Sequence, residues 1–255
     1  MGILVDQAWL VASLLLWLRL GALLFMTPLF AGFKGPVSVM VVLSLALAFL
    51  LAASLDARAQ GSLPSTVGGL VLAGFLEIGL GTLMAFGVHA AFAAFGMAGQ
   101  WLDLQIGFGT GNVFDPVTRA NSPVLGAALS SLAAVAFFAL DGHHAFMRGI
   151  AFSVQQIPPG SMSLHLPVAA LVRQFGGIFT LAVTLAAPVL FVLLLLEAGM
   201  AVISRMLPQM NVLFVGMPVK ILLGLSVFGA AASLLPPVMA RAFAGIFTFW
   251  EQVLS

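Results

Sequence analysis

The sequence predicts an all-α membrane protein in which about six long hydrophobic helices, some kinked or oversized, form one domain over residues 1–255. Hydrophobic residues make up 62% of the chain and charged residues only 7%, whereas roughly a quarter of the residues in soluble domains are charged. Six apolar runs approach the length of about 20 residues that spans a bilayer as a helix. These runs lack the alternation with a period of two that is typical of a membrane β-barrel.

The predicted helices follow one another with mostly short polar connections. They lie at Trp9–Phe30, Val37–Leu55, Val67–Ala98, Pro123–Leu140, Gln174–Ser204 and Val212–Leu235. At about 1.5 Å per residue, the third run would extend about 48 Å, well beyond a hydrocarbon core of about 30 Å. It must therefore tilt, kink or project from the bilayer. The fifth run is nearly as long and carries Pro188 inside it.

Two further segments are amphipathic. The stretch Asp141–Pro167 predicts a short interfacial or subunit-facing helix that ends at Pro158-Pro159-Gly160. The tail after Pro236-Pro237 mixes aromatic and charged residues. That mixture is typical of an amphipathic helix, which we expect Trp250 to anchor at the membrane interface.

Composition and motifs exclude several classes of function. Nine Lys and Arg balance eight Asp and Glu, so no basic patch indicates nucleic-acid binding. Cysteine is absent, which excludes thiolate catalysis and cysteine-ligated metals. His143 and His144 are adjacent, and on a helix they would point about 100° apart as a poor metal-binding pair. We therefore predict no catalytic site, no metal and no cofactor.

Five ionisable residues fall inside apolar runs, where exposure to lipid is costly. They are Arg19, Glu77, His89, Glu197 and Lys220, and we expect all five to be buried. They could form a proton or ion relay, or each could be paired inside the protein or line a water-filled lumen. Glu77 and His89 are 12 residues apart, which on one straight helix separates them by about 120° and about 18 Å. Pairing or lumen lining is therefore the favoured interpretation.

One polar segment interrupts the apolar runs. The stretch Gly99–Pro123 is rich in glycine, with three alternating glycines in Gly107–Gly111, and it carries Phe108 and Phe114. Glycine allows backbone conformations that are closed to other residues. A flexible backbone with apolar side chains between two membrane helices indicates a loop that fills a space rather than one that binds a ligand.

Ordered motifs over essentially the whole chain resemble one protein family. They are Phe114-Asp115-Pro116, Asn121–Leu125, Asp141-Gly142-His143, Ser204–Val212 and Val215–Lys220. Together they resemble the FliR family of flagellar export-gate proteins, whose relative in virulence injectisomes is SctT. The Val215–Lys220 motif is closer to the flagellar branch.

The resemblance implies a non-enzymatic core subunit of the type III protein-export gate, at the flagellar basal body in the bacterial inner membrane. In that family the subunit joins FliP and FliQ in a helical channel, with FlhB at its entrance and FlhA below. The channel exports unfolded flagellar proteins, and a loop, here the plug segment Ile106–Val117, closes it when idle. The implied plug residues are Ile106, Gly107, Phe108, Gly109, Gly111, Val113 and Phe114. Residues expected in structural or subunit contacts are Asp115, Pro116, Asn121, Pro123, Arg205, Pro208, Gln209, Asn211, Gly216 and Pro218.

Three alternatives remain open from the sequence. A secondary transporter would show inverted halves and a midplane site, for which Glu77 and Glu197 are the candidates. An injectisome gate subunit would differ in what it exports. A membrane enzyme would need a convergent catalytic set, which these residues do not supply.

Overall fold

All secondary structure among the described residues is helical. The structure is a computed structural model that describes residues 7–28, 36–55, 63–64, 66–108, 123–161, 168–207 and 212–255. The helices are α1 (Gln7–Met26), α2 (Val37–Ala53), α3 (Val67–Ile106), α4 (Val124–Ala139), α5 (Gly142–Gln156), α6 (Val168–Met206), α7 (Val212–Ala231) and α8 (Leu235–Leu254). A single 3₁₀ turn, Ala232–Leu234, joins α7 to α8. The predicted all-α membrane fold is confirmed.

Fewer helices than predicted are long enough to cross a membrane. Four described stretches have the length and apolar composition to do so: α1, α3, α6 and Phe214–Leu254. The prediction of six long helices is wrong for α2 and α4, which have only 17 and 16 residues. Helix α4 ends at Ala139, and Asp141 beyond it adopts a left-handed conformation. Helices α4 and α5 together count at most as a fifth, bent span.

The two oversized helices are longer than the apolar runs that predicted them. Helix α3 has 40 residues and α6 has 39, which gives each a length of about 60 Å. Helix α3 continues beyond Ala98 because Leu102 and Ile106, one turn apart, both present fully buried side chains. The interpretation of Gly99–Ile106 as loop is therefore wrong. Helix α6 also continues through Pro188.

The chain divides into two compact groups of residues. The first group comprises residues 1–90, 141–174 and 244–255, and the second comprises residues 91–140 and 175–243. Helices α3, α6 and α8 each contribute residues to both groups. A single domain over the whole chain stays a prediction.

Aromatic rings fill the core of the second group. Phe243 of α8 lies with its ring centroid 5.9 Å from that of Phe92, 6.0 Å from that of Phe95 and 5.3 Å from that of Phe137. Such separations are those of favourable aromatic pairs. The first turns of α8 are thereby fixed against α3 and α4.

Trp250 lies in the core of the first group and does not anchor the chain at a membrane interface. Its side chain is fully buried, its Nε1 donates a hydrogen bond of 2.9 Å to the Met84 carbonyl, and its ring packs 5.5 Å from that of Phe146. The prediction of an interfacial tryptophan is wrong because an amphipathic pattern looks the same whether protein or lipid covers the apolar face. The predicted amphipathic helices themselves are present as α5 and α8.

Gly149 of α5 leaves the space that the Trp250 ring occupies, because a Cβ atom at position 149 would overlap the indole. We expect Gly149→Ala to be about 1–3 kcal/mol less stable than Gly245→Ala, the typical cost of overpacking a core. Gly245 of α8 is the matched control, since a Cβ there meets nothing within 4 Å and both changes gain similar helix propensity. Thermal unfolding of the two variants in detergent measures the difference. Equal stabilities would contradict the close approach of Gly149 and Trp250.

Candidate functional site

In the second group, the carboxylate of Asp103 holds the end of α3 against the start of α4. Its Oδ1 accepts a hydrogen bond of 3.0 Å from the Leu125 N–H, and its Oδ2 accepts one of 3.1 Å from the Gly126 N–H. Both donors belong to the first turn of α4, where N–H groups have no partner within the helix. Pro123, which precedes α4, supplies no side-chain cap. A buried carboxylate from another helix therefore caps α4, and its charge also suits the positive end of the helix dipole.

Close backbone contact accompanies this cap. A Cβ atom at Gly99 would lie only 2.5 Å from the Gly126 nitrogen and 2.7 Å from the Leu125 carbonyl carbon. Side chains cannot occupy that space, so glycine at position 99 lets α3 and α4 approach near the end of α3. We call the set Asp103, Gly107, Pro123, Leu125 and Gly126 the loop base. It fixes both ends of the connection between α3 and α4, and this connection carries the predicted plug segment.

Helix α3 ends at Ile106, and the predicted plug segment begins with Ile106, Gly107 and Phe108. Ile106 is fully buried and packs on α7, where a Cβ at Gly224 would lie 2.7 Å from Ile106 Cγ1. Gly107 then ends the helix with φ +104°, a conformation that favours glycine, and its N–H donates to the Asp103 carbonyl at 3.1 Å. Phe108 follows, half-buried. Ile106 is thus a packed helix residue and not part of a loop.

Several predicted site residues lie outside the described residues. These are Gly109, Gly111, Val113, Phe114, Asp115, Pro116, Asn121, Pro208, Gln209 and Asn211. Among the others, Pro123 directly precedes α4, Arg205 lies in the last turn of α6, and Gly216 and Pro218 lie in the first half of α7. Their roles in subunit contact stay predictions.

Arg19 and Glu77 form a fully buried ion pair in the first group, with 2.6 Å between Arg19 Nε and Glu77 Oε2. The Arg19 Nη1 and Nη2 atoms donate to the carbonyls of Ser153 and Ile157 at 3.1 and 2.9 Å. The other Glu77 oxygen accepts a bond of 2.9 Å from the Gly160 N–H. This network joins α1 and α3 to α5 and to the turn after it, and it occupies both charged groups with partners inside the protein.

Glu197 and Lys220 also form an ion pair, this time in the second group and on its surface. Glu197 Oε1 accepts hydrogen bonds from Lys220 Nζ and, at 3.1 Å, from Gln105 Nε2. The side chains are 42% and 28% exposed for Glu197 and Lys220 respectively, so the expectation that both are buried is wrong for the chain by itself. They line a pocket of about 350 Å³ together with Met200 and Met217.

After Glu197 and Lys220, His89 is the third ionisable residue that was predicted to be buried and is not. Its side chain is exposed, while its neighbours Val88 and Ala90 are buried. It lines a pocket of about 440 Å³ near the end of α1, beside Thr27 and Thr82. The apolar run around His89 did not reveal which face of the helix turns outward.

Comparison with known proteins now identifies the family. The profile described as bacterial export proteins, family 1, matches residues 10–246, which includes nearly all of both groups. The chain belongs to this family. The match confirms the family resemblance that the ordered motifs indicated.

Relatives of the family cover most of the chain. The flagellar biosynthetic protein FliR of Escherichia coli (strain K12) is 27% identical over 97% of this chain and 94% of its own length. FliR of Bacillus subtilis (strain 168) is 28% identical over 82% of each protein. The surface presentation of antigens protein SpaR of Shigella sonnei is 28% identical over 70% of each.

Proposed function

We propose that the chain is a pore-forming, non-enzymatic subunit of the flagellar type III protein-export gate in the bacterial inner membrane. Membership of the export-protein family and the FliR relatives support the flagellar assignment, and the apolar helices support the location in a membrane. The observation that carries the proposed mechanism is the loop base. It holds both ends of the plug-bearing connection at one place through the Asp103 carboxylate.

In this mechanism the plug segment closes the channel with apolar side chains. A narrow apolar constriction excludes ions because it does not replace their hydration, and it can gate by dewetting. The glycines of the segment let the backbone yield when an unfolded polypeptide enters. Fixed ends return the segment to the same place afterwards, so Phe108 and Phe114 can close the passage again.

The surface of the second group supports assembly with partner subunits. In Phe214–Leu254, only 17% of the most apolar stretch of 18 residues is buried within the chain. In α6 the buried share of the corresponding stretch is 33%. The partly exposed Glu197–Lys220 pair lies on these same elements, and contact of an ion pair with lipid is costly. Protein is therefore the better cover for it. We propose FliP and FliQ as the neighbours in the channel, with FlhB and FlhA at its entrance.

We expect the double variant Phe108→Ala, Phe114→Ala to make idle gates leak ions, because the constriction loses its two largest apolar side chains. Ion conductance of membranes that contain the complete gate, measured without export substrate, tests this. The matched control is Phe25→Ala, Phe75→Ala, which removes two exposed phenylalanines from α1 and α3 in the first group, outside the plug segment. Conductance equal to the parent in the plug variant would contradict the proposed mechanism.

Of the alternatives, the injectisome gate has an observation in its favour, namely the similarity to SpaR of Shigella sonnei. The FliR relatives that match over more of the chain favour the flagellar role. The transporter hypothesis loses one of its two candidate residues, because Glu77 is fully buried and occupied by Arg19 and Gly160.

A further inference from the structure

Three side chains with metal-binding atoms converge at the start of α5. They belong to Asp141, His143 and His144, and one donor atom from each of the three side chains lies within 4.8 Å of the other two. Asp141 precedes the helix in a left-handed conformation with φ 57°. Its Oδ1 lies 3.3 Å from Nδ1 of His144.

The two histidine rings lie together, which adjacent positions on a helix did not predict. Their centroids are 4.1 Å apart and their planes are tilted by 35°. The helical period fixes only the direction of each Cα–Cβ bond. Rotation about the side-chain bonds then brings His143 and His144 into contact, and the earlier interpretation of a poor metal-binding pair does not hold for this geometry.

We propose that Asp141, His143 and His144 form a binding site for a divalent transition-metal ion of the zinc or nickel type. Imidazole nitrogen with carboxylate oxygen is a donor set that such ions accept, whereas calcium prefers oxygen ligands alone. Bonds of about 2.0–2.2 Å at the tetrahedral angle place two donors of one zinc ion about 3.3–3.6 Å apart. From a widest separation of at most 4.8 Å, the cluster therefore needs a contraction of up to about 1.5 Å.

The exposure of the cluster makes this contraction easy and provides a path for the ion. The side chains of His144 and Asp141 are 64% and 75% exposed, so both can turn without repacking a core. Water completes the coordination. The positive end of the α5 dipole opposes a cation, which makes the negative charge of Asp141 essential to the affinity.

Titration of the untagged full chain with zinc chloride, purified with the gate subunits that accompany it, tests the proposal. We expect one zinc site per chain in the parent, and we expect His144→Gln and Asp141→Asn each to weaken zinc binding at that site by at least about tenfold. Removing a residue that only hydrogen-bonds to a metal ligand already costs about 10–100-fold in affinity, so the loss of a ligand itself should cost no less. Asparagine tolerates the left-handed conformation of position 141, so Asp141→Asn removes the charge without straining the turn. His89→Gln is the matched control, since His89 is an exposed histidine outside the cluster and its loss should leave binding unchanged.

A second measurement addresses the ligands directly. In the electron paramagnetic resonance spectrum of bound Cu²⁺, we expect couplings to two imidazole nitrogens in the parent and to one in His144→Gln. Equal zinc affinity in the parent and in His144→Gln, or no zinc bound by the parent, would overturn the proposal. It does not depend on the export function, so its failure leaves the proposed gate intact.

Discussion

Replacing Arg19 with methionine is expected to lower the free energy of unfolding by about 3–5 kcal/mol, because Glu77 would remain as a buried carboxylate without its counter-charge. The Ser153 and Ile157 carbonyls would lose their donors as well. A loss of this size is a large share of the about 5–15 kcal/mol by which proteins are stable. We therefore expect little folded Arg19→Met protein in membranes, and a clearly lowered midpoint of thermal unfolding for what is recovered.

The double variant Arg19→Met, Glu77→Met is the control for this experiment. Replacing both members of a buried pair by apolar residues of similar size is often neutral or even stabilising, so the double variant should recover much of the loss. Recovery will be incomplete because the Gly160 N–H also loses its acceptor. Arg19→Met with the stability of the parent would show that the ion pair is not formed in the folded protein.

Removing the carboxylate of Asp103 is expected to have the second large effect. Asp103→Ala deprives the N–H groups of Leu125 and Gly126 of their acceptor, and each hydrogen bond to a charged group is worth about 1.5–3 kcal/mol. The start of α4 would fray, and one end of the plug-bearing connection would no longer be fixed. We expect a lowered thermal midpoint together with a raised ion conductance of idle gates.

Two further variants serve as controls for the Asp103→Ala experiment. Asp103→Asn keeps one side-chain oxygen and should retain part of the stability. Glu251→Gln changes an exposed acidic residue of α8, and it should alter neither stability nor conductance. If Asp103→Ala is as stable as the parent, the carboxylate does not cap α4. If Asp103→Ala is less stable but the ion conductance of idle gates is unchanged, the cap is supported and the proposed plug is contradicted.

The sequence predicted where most helices lie, because long apolar runs leave the backbone few alternatives in lipid. It did not predict where they stop. The polar residues Gln100, Asp103 and Gln105 made the end of α3 look like loop, yet Leu102 and Ile106 continue the buried face of the helix. Conversely, the run around α4 looked long enough to span, and the left-handed turn at Asp141 is not encoded in hydrophobicity.

Long-range pairing was the other part that local patterns could not provide. Arg19 and Glu77 stood out as costly residues, but 58 positions separate them and no spacing rule connects them. Asp103 was not recognised as a candidate at all. The one available signal was an isolated acidic residue at the end of an apolar helix, and it gained meaning only when the structure placed the unpaired N–H groups of α4 beside it.

The Arg19 network also constrains how the chain is made. A ribosome that adds roughly 5–20 residues per second delivers Glu77 several seconds after Arg19, and Ser153, 134 positions away, later still. Until then the first helix carries an uncompensated guanidinium that a bilayer accepts poorly. We expect α1 to wait at the insertion machinery during synthesis and to settle in lipid only once α3, and then α5, have emerged.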